Sequence, residues 1–395
     1  MGFPALILTL TVIIGQLIRI PLGTHGGVTL LDITVVILTG YGFFKSSLHL
    51  KKPPLFLKIF FMFILTAIIS LILTPLHLSA AEYSTSFFYI IRLVFYFLLY
   101  WLIYSEVFGS LRKDINNILL YSGLGLALLG LLQFIFLPDL GFLSENGWDP
   151  HYFRTVSTFF DPNFAGAYFV LTLLLIMSLR ARKAWPASPA CGVASPRGEQ
   201  SVVFFIAYLA LLTTFSRSSY LMFLVGGLAL SFFKKSKKLV AVSVLLFIVL
   251  LTGFQIYTRL VAKPRGIDRE QSANFRINTW QQGFAIFQKS PILGVGYNSY
   301  RYAIKEYNLA DKQFIESHGS SSNDSSLLSV LATTGVVGFI VYILFLASLF
   351  KYSMKNNFIL TSAILGLLVH SVFANSLFYP FILIWILLKA ADTKG

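Results

Sequence analysis

The stretch LFLKIFFMFILTAIISLILTP, residues 55–75, decides the fold. It carries a single charge, Lys58 near its start, and otherwise stays apolar for the length a helix needs to cross roughly 30 Å of hydrocarbon. Runs of the same kind recur to both sides, and a hydropathy reading places helices at 3–20, 28–44, 55–75, 86–104, 115–137, 162–179, 201–215, 218–233, 239–257, 325–350, 358–373 and 376–389. The expectation is an all-α, polytopic transmembrane bundle of about 12 spans.

Composition agrees: of 395 residues 56% are hydrophobic and only 12% charged, and the mean hydropathy is +0.76. A soluble enzyme is excluded by that balance. The N-terminus has neither a basic leader nor a small-residue cleavage site, so Phe3 to Ile20 reads as a retained first span. Cys191 is the single cysteine, which leaves no disulfide framework and no multi-cysteine metal site.

The net charge of +15 is arranged by loop. Alternate short connections collect Lys45, Lys51, Lys52 and Lys58; Arg112 and Lys113; Arg180, Arg182, Lys183 and Arg197; Lys234, Lys235, Lys237 and Lys238; and Lys351 and Lys355. The positive-inside rule makes these cytoplasmic, with both termini. The opposite short loops carry only Arg19, Arg154 and Arg217. Residues 258–324 form a long basic loop on the extracytoplasmic side, including Arg276, Arg301 and Lys305, and loops of that length translocate largely regardless of charge. The chain thus divides into spans 1–257, an extracytoplasmic loop 258–324, and spans with a cytoplasmic tail, 325–395. Within the loop, Ile277, Trp280, Phe284 and Phe287 mark an amphipathic helix for the membrane surface, ending near Ser290-Pro291. The segment 184–200, rich in Pro, Ala, Ser and Gly, reads as a flexible connector, and no internal repeat is evident.

Ionisable groups within spans are expensive and tend to face cavities. Arg19, Asp32, Arg92, Arg217 and His370 all fall toward the extracytoplasmic ends of their helices, which predicts a polar cavity opening outward; each alone could also snorkel to the interface. His25, His49, His77 and His151 read as surface residues. There is no Walker A loop, no GxGxxG, no HExxH and no CxxC. The scattered His and carboxylates make no metal-ligand set, and no cofactor is expected.

Four segments remain: RTVSTFFDPNFA (154–165); FSRS (215–218); NFR (274–276) through Trp280 to PILGVG (291–296); and Ser317-His318 through Asn323 and Leu327-Leu328 to GVVG (335–338). In this order they resemble the O-antigen ligase and O-antigen polymerase superfamily, membrane glycosyltransferases of the bacterial cell envelope. The resemblance covers about residues 150–345. One departure stands out: the common family form places His directly before Asn, whereas position 322 is Ser, so the histidine's role transfers to His318.

The resemblance implies transfer or polymerisation of a glycan from an undecaprenyl-diphosphate carrier to an acceptor hydroxyl, without metal and with anomeric inversion. The acceptor would be another lipid-linked repeat, the lipid A core of lipopolysaccharide or another envelope polymer. It also implies a multi-pass protein of the bacterial inner membrane, with its active site outside and membrane lipids, not nucleic acid, around it. Arg217 and Arg276 are the candidates for holding the diphosphate, because forked guanidinium donors match its oxygens. His318 is the candidate base on the acceptor hydroxyl. Arg154, Asn163, Asn323 and Arg92 are candidate substrate-binding residues. Read from the residues alone, His318 is equally a solvated loop histidine, Arg276 an anchor for lipid headgroups, and Asp161-Pro-Asn163 a helix start. A transporter or flippase for lipid-linked or anionic substrates is the rival class, and a non-catalytic assembly subunit a third.

Overall fold

The computed structural model describes residues 1–22, 26–46, 50–180, 196–267 and 271–392. His25, His49, Arg182, Lys183, Cys191 and most of the connector 184–200 lie outside the described residues. A helix stands at each of the twelve apolar runs: α1 (Phe3–Ile14), α2 (Leu30–Lys45), α3 (Leu55–Ile72), α4 (Ala80–Tyr104), α5 (Gly109–Phe136), α6 (Pro162–Arg180), α7 (Pro196–Thr213), α8 (Arg217–Phe233) and α9 (Lys237–Tyr257), then α13 (Ser326–Asn356), α14 (Phe358–His370) and α15 (Pro380–Ala391). The segment between α9 and α13 holds α10 (Gln271–Lys289), α11 (Tyr300–Glu306) and α12 (Lys312–Glu316). Among the described residues six helices are long and apolar enough to cross a membrane: α3, α4, α5, α6, α9 and α13.

Burial separates core helices from lipid-facing ones. The apolar window of α6 is 83% buried inside the protein and that of α9 only 17%, so α9 turns Leu245, Ile248 and Val249 outward. An apolar outer surface of this extent fits hydrocarbon and not water. Every residue of α15 is buried, with Trp385 at its centre. Around this core α8 runs against α14 and α9, α3 against α13, and α1 against α5.

One expectation is corrected at the N-terminus. The first span does not run to Ile20: α1 ends at Ile14, where Gly15 takes a left-handed φ of 60°. The all-α bundle carries one short antiparallel hairpin here, Arg19–Leu22 (β1) with Gly26–Thr29 (β2). Pro21 cannot continue a helix, and Gly27 leaves room for the Arg19 side chain, which a Cβ there would strike. Thr29 and Asp32 then start α2 with a reciprocal capping box.

The third and fourth sequence segments prove to be one structural knot. Helix α13 breaks at Gly335, with φ 63° and ψ −170°, and the turn segment 291–296 packs backbone to backbone against the break. Val295 and Gly296 donate N–H groups to the Ala332 and Thr333 carbonyls, while Val336 and Val337 donate to Pro291 and Ile292. Ser70 and Thr74 of the α3 end donate hydroxyls to Thr333 O and Val295 O. Backbone groups on both sides of the break are therefore bonded across it, as a buried break requires. Gly294 and Gly335 have no side chain because the two backbones meet there directly.

Helix α10 appears where the apolar stripe predicts it. Thr279 and Ile286 on one face are buried against α13, and Ile277 and Phe284 remain about half exposed on another.

Candidate functional site

A cavity of about 380 Å³ opens at the end of the bundle formed by the start of α4, α6, α8 and α13 and the end of α1. The basic residues Lys45, Lys51 and Lys52, Arg112 and Lys113, Lys234 and Lys235, and Lys351 and Lys355 lie around the opposite ends of α2, α4, α8 and α13. Six arginines line the wall (Arg19, Arg92, Arg154, Arg217, Arg276 and Arg301), against three aspartates and no lysine. The electrostatics favour a polyanion, and the cations all have forked, directional donors.

The Arg217 end is built by a tight turn. Thr155 N–H donates to Thr213 O at 2.9 Å, laying the 154–156 segment along the end of α7. Arg154 donates from Nε to Thr214 O at 2.9 Å and from an Nη to Phe215 O at 3.4 Å. Phe215 is held at a left-handed φ of 47° and stacks on Tyr257, 4.0 Å between ring centroids. Such strain persists only where the surroundings enforce it. Ser216 then caps α8 and delivers Arg217 as its first residue, exposed to the cavity. Arg154 thus lines the wall but acts chiefly as the brace that shapes the turn before Arg217.

Asn163 joins three elements. Asp161-Pro-Asn163 starts α6 as the sequence predicts, with Asp161 as the cap, accepting from the Asn163 and Phe164 N–H groups at 2.6 and 3.1 Å. The Asn163 side-chain oxygen is left to accept from Ser216 Oγ at 2.8 Å, Ser218 Oγ at 3.4 Å and an Arg276 Nη at 3.4 Å. Arg276 of α10 is thereby brought to the mouth of α8. Burial lowers its pKa from the ordinary guanidinium value, the Asp324 charge opposing, and the nearby Arg217 adds to the lowering. Beneath this junction His370 is fully buried with Nε2 3.4 Å from Ser219 Oγ, so it does not snorkel to the interface.

On the far wall Arg92 pairs with Asp32, Nε to Oδ1 at 2.7 Å, and Tyr96 donates to the same oxygen at 2.8 Å. His318 is the first residue of a 3-10 turn, His318–Ser321. Its N–H donates to Gly147 O at 2.8 Å and its ring lies 4.4 Å from Trp148. Six of the seven sequence candidates therefore line one cavity. Asn323 does not: it is fully buried, its amide donates to Thr279 O and to Tyr300 Oη, and its oxygen accepts from Ser325 N–H. It clamps α10 and α11 onto the start of α13 and does not line the cavity.

Sequence reading missed Asp324, Trp148 and Arg301, all of which line the cavity. Burial pushes the Asp324 carboxyl up to about 6, with Arg276 and the Thr279 hydroxyl (3.3 Å) pulling the other way. Its place directly after Asn323 was the available signal. His151, read as a surface residue, is buried in the wall because its carbonyl accepts from Leu140 N–H and folds the loop back. His77 is exposed as expected, with Glu306 as its partner at 3.0 Å. Among the described residues no three His, Cys, Asp or Glu side chains gather as a metal-binding group.

Fold and site together define an integral membrane protein with an arginine-lined cavity at one end of a helical bundle. Residues 202–343 match the family model described as O-antigen ligase, which carries the resemblance to the O-antigen ligase and polymerase superfamily. The match holds the Arg217, Arg276 and His318 segments and the Gly335 break, and leaves Arg92, Arg154 and Asn163 outside it. No curated protein matches the chain. The match supports a ligase- or polymerase-type function acting on lipid-linked glycans and acceptors.

Proposed function

We propose that the protein is a metal-independent, inverting glycosyltransferase of the bacterial inner membrane that moves a glycan from undecaprenyl diphosphate to an acceptor hydroxyl outside the cytoplasm. The observation that carries the proposal is the gathering of Arg217 and Arg276 at one cavity wall, where Arg276 and Ser216, the cap directly before Arg217, both donate to the Asn163 side-chain oxygen. A diphosphate leaving group gains most charge as the glycosidic bond breaks, and preorganised guanidinium donors stabilise that charge where it develops. The twelve helices cross the bilayer as twelve spans with both termini inside; the basic residues around the helix ends away from the cavity support this orientation. The half-exposed Ile277 and Phe284 face of α10 rests on the lipid surface.

The acceptor approaches on the His318 side, between Trp148 and Ser317. His318 takes the hydroxyl proton as the oxygen attacks the anomeric carbon from the face opposite the diphosphate, and the lipid diphosphate leaves as an anion on Arg217 and Arg276. Asp324, beside Arg276, balances part of the cation charge between turnovers. Arg92 and Arg154 line the substrate space, Arg92 held by Asp32.

The test is purified protein with an undecaprenyl-diphosphate oligosaccharide from its host, products being separated by size. A ladder with release of lipid diphosphate identifies a polymerase, and product only after a core or other acceptor is added identifies a ligase. Arg217→Ala and Arg276→Ala should each lower transfer by at least about 100-fold in folded protein, with Lys restoring little. Wild-type transfer in both Ala variants would overturn the diphosphate assignment.

A further inference from the structure

The arginines of the cavity fall into two groups. Arg217 and Arg276 influence each other electrostatically, and Arg276 donates to Asn163 beside the cap of α8. Arg19 and Arg301 form a second such pair, on the His318 side. Arg301 donates an Nη to Ser317 O at 2.7 Å, the carbonyl just before His318. Arg19 lies over Trp148 at 5.4 Å, and the same indole packs against the His318 ring.

Among the described residues neither Arg19 nor Arg301 has an ion-pair partner, in contrast to Arg92 with Asp32. Arg301 is only 5% exposed, and its Nε has no hydrogen-bond partner. Burial brings its pKa down to about 10, with the Arg19 charge adding to the effect, and it remains a cation at neutral pH. Two buried or half-buried like charges and an unsatisfied donor are costly unless something anionic sits between them.

Resting on the functional reading above, we propose that Arg19 and Arg301 form a second oxyanion subsite that binds a phosphate or carboxylate carried by the acceptor. A group bound there lies beside the His318 proton acceptor and apart from the leaving diphosphate. A neutral acceptor would leave the pair uncompensated. The shared chemistry is a planar or tetrahedral oxyanion, supplied either by the diphosphate of a second lipid-linked chain or by an acidic sugar.

The experiment titrates full-length protein in neutral detergent, by calorimetry, with inorganic pyrophosphate and separately with glucuronate. Two pyrophosphates per chain would support the subsite and identify its ligand as phosphate; one pyrophosphate together with one glucuronate would support it and identify a carboxylate. Arg19→Ala and Arg301→Gln should weaken the second site by roughly tenfold or more and leave the first unchanged. Arg19 is only half-buried in the hairpin, so its variant and the wild-type stoichiometry stand even if the Arg301 variant fails to fold. A total of one anion per chain with the two probes, or a second site indifferent to both substitutions, would overturn the proposal. If instead Arg217→Ala and Arg276→Ala leave the first site unchanged while Arg19→Ala abolishes the second, the diphosphate assignment fails and the second subsite stands.

Discussion

Replacing Gly335 by Ala probes the knot that holds the cavity's outer wall. A Cβ at 335 would lie 2.6 Å from Leu293 N and closer still to the Ile292 carbonyl, where ordinary contact begins at 3.4 Å, and all these atoms are backbone. The backbone conformation there, φ 63° and ψ −170°, is one that only glycine adopts freely. To make room, segment 291–296 must retreat, breaking the bonds from Val336 N to Pro291 O and from Val337 N to Ile292 O. Backbone strain of roughly 1–3 kcal/mol and two buried hydrogen bonds at about 1–2 kcal/mol each give an expected destabilisation of about 3–7 kcal/mol. The same retreat displaces Tyr300 and Arg301, so transfer activity should fall with stability. The assay is thermal unfolding in detergent beside Gly40→Ala on α2, where a Cβ meets nothing within 4 Å. That control should be neutral or more stable by up to about 1 kcal/mol, from helix propensity alone. If Gly335→Ala unfolds at the same temperature as the control, the interlocked break is not what holds this wall.

Further outcomes can be checked on the same preparation. Asp324 has its pKa raised by burial to about 6 from 3.8, so the folded state holds this proton more tightly and stability falls as pH rises from about 4 to 6. Asp324→Asn should therefore be more stable than wild type by up to about 3 kcal/mol at pH 7.5 and lose that advantage at pH 4, read from paired melting curves. Asp32→Ala strips Arg92 and Tyr96 of their shared acceptor and α2 of the Asp32 half of its capping box, and should cost about 3–5 kcal/mol; an equal loss in Arg92→Ala and no further loss in the double variant would confirm the pair as a unit. Asn323→Ala should damage folding more than substrate affinity, since the clamp between Thr279 and Tyr300 is lost; a raised KM with unchanged melting would contradict that placement.

How much of this was legible in the chain differs by residue. The apolar runs specify their helices directly, because a span in lipid must satisfy its backbone internally whatever its neighbours do. The capping box of α2 and the stripe of α10 were equally local, written in residues three or four apart. Arg217 and Arg276 stood out through a motif order that the family match then covered. Position alone could not separate Asn163 from Asn323. One aims its carbonyl oxygen at an arginine of the cavity and the other is consumed between Thr279 and Tyr300, and only packing of distant helices makes that difference.

The sequence by itself determined that the chain is a membrane bundle, where its helices stand, and which end of each carries its functional charge. The tertiary structure alone decided that Gly294 and Gly335 serve one crossing, that His151 is interior, and that six arginines from six separate segments face a common space. Hydropathy and capping act over a few residues and leave their mark in the letters. Cavities and unpaired charges are made between segments tens to hundreds of residues apart, where no spacing in the chain records them.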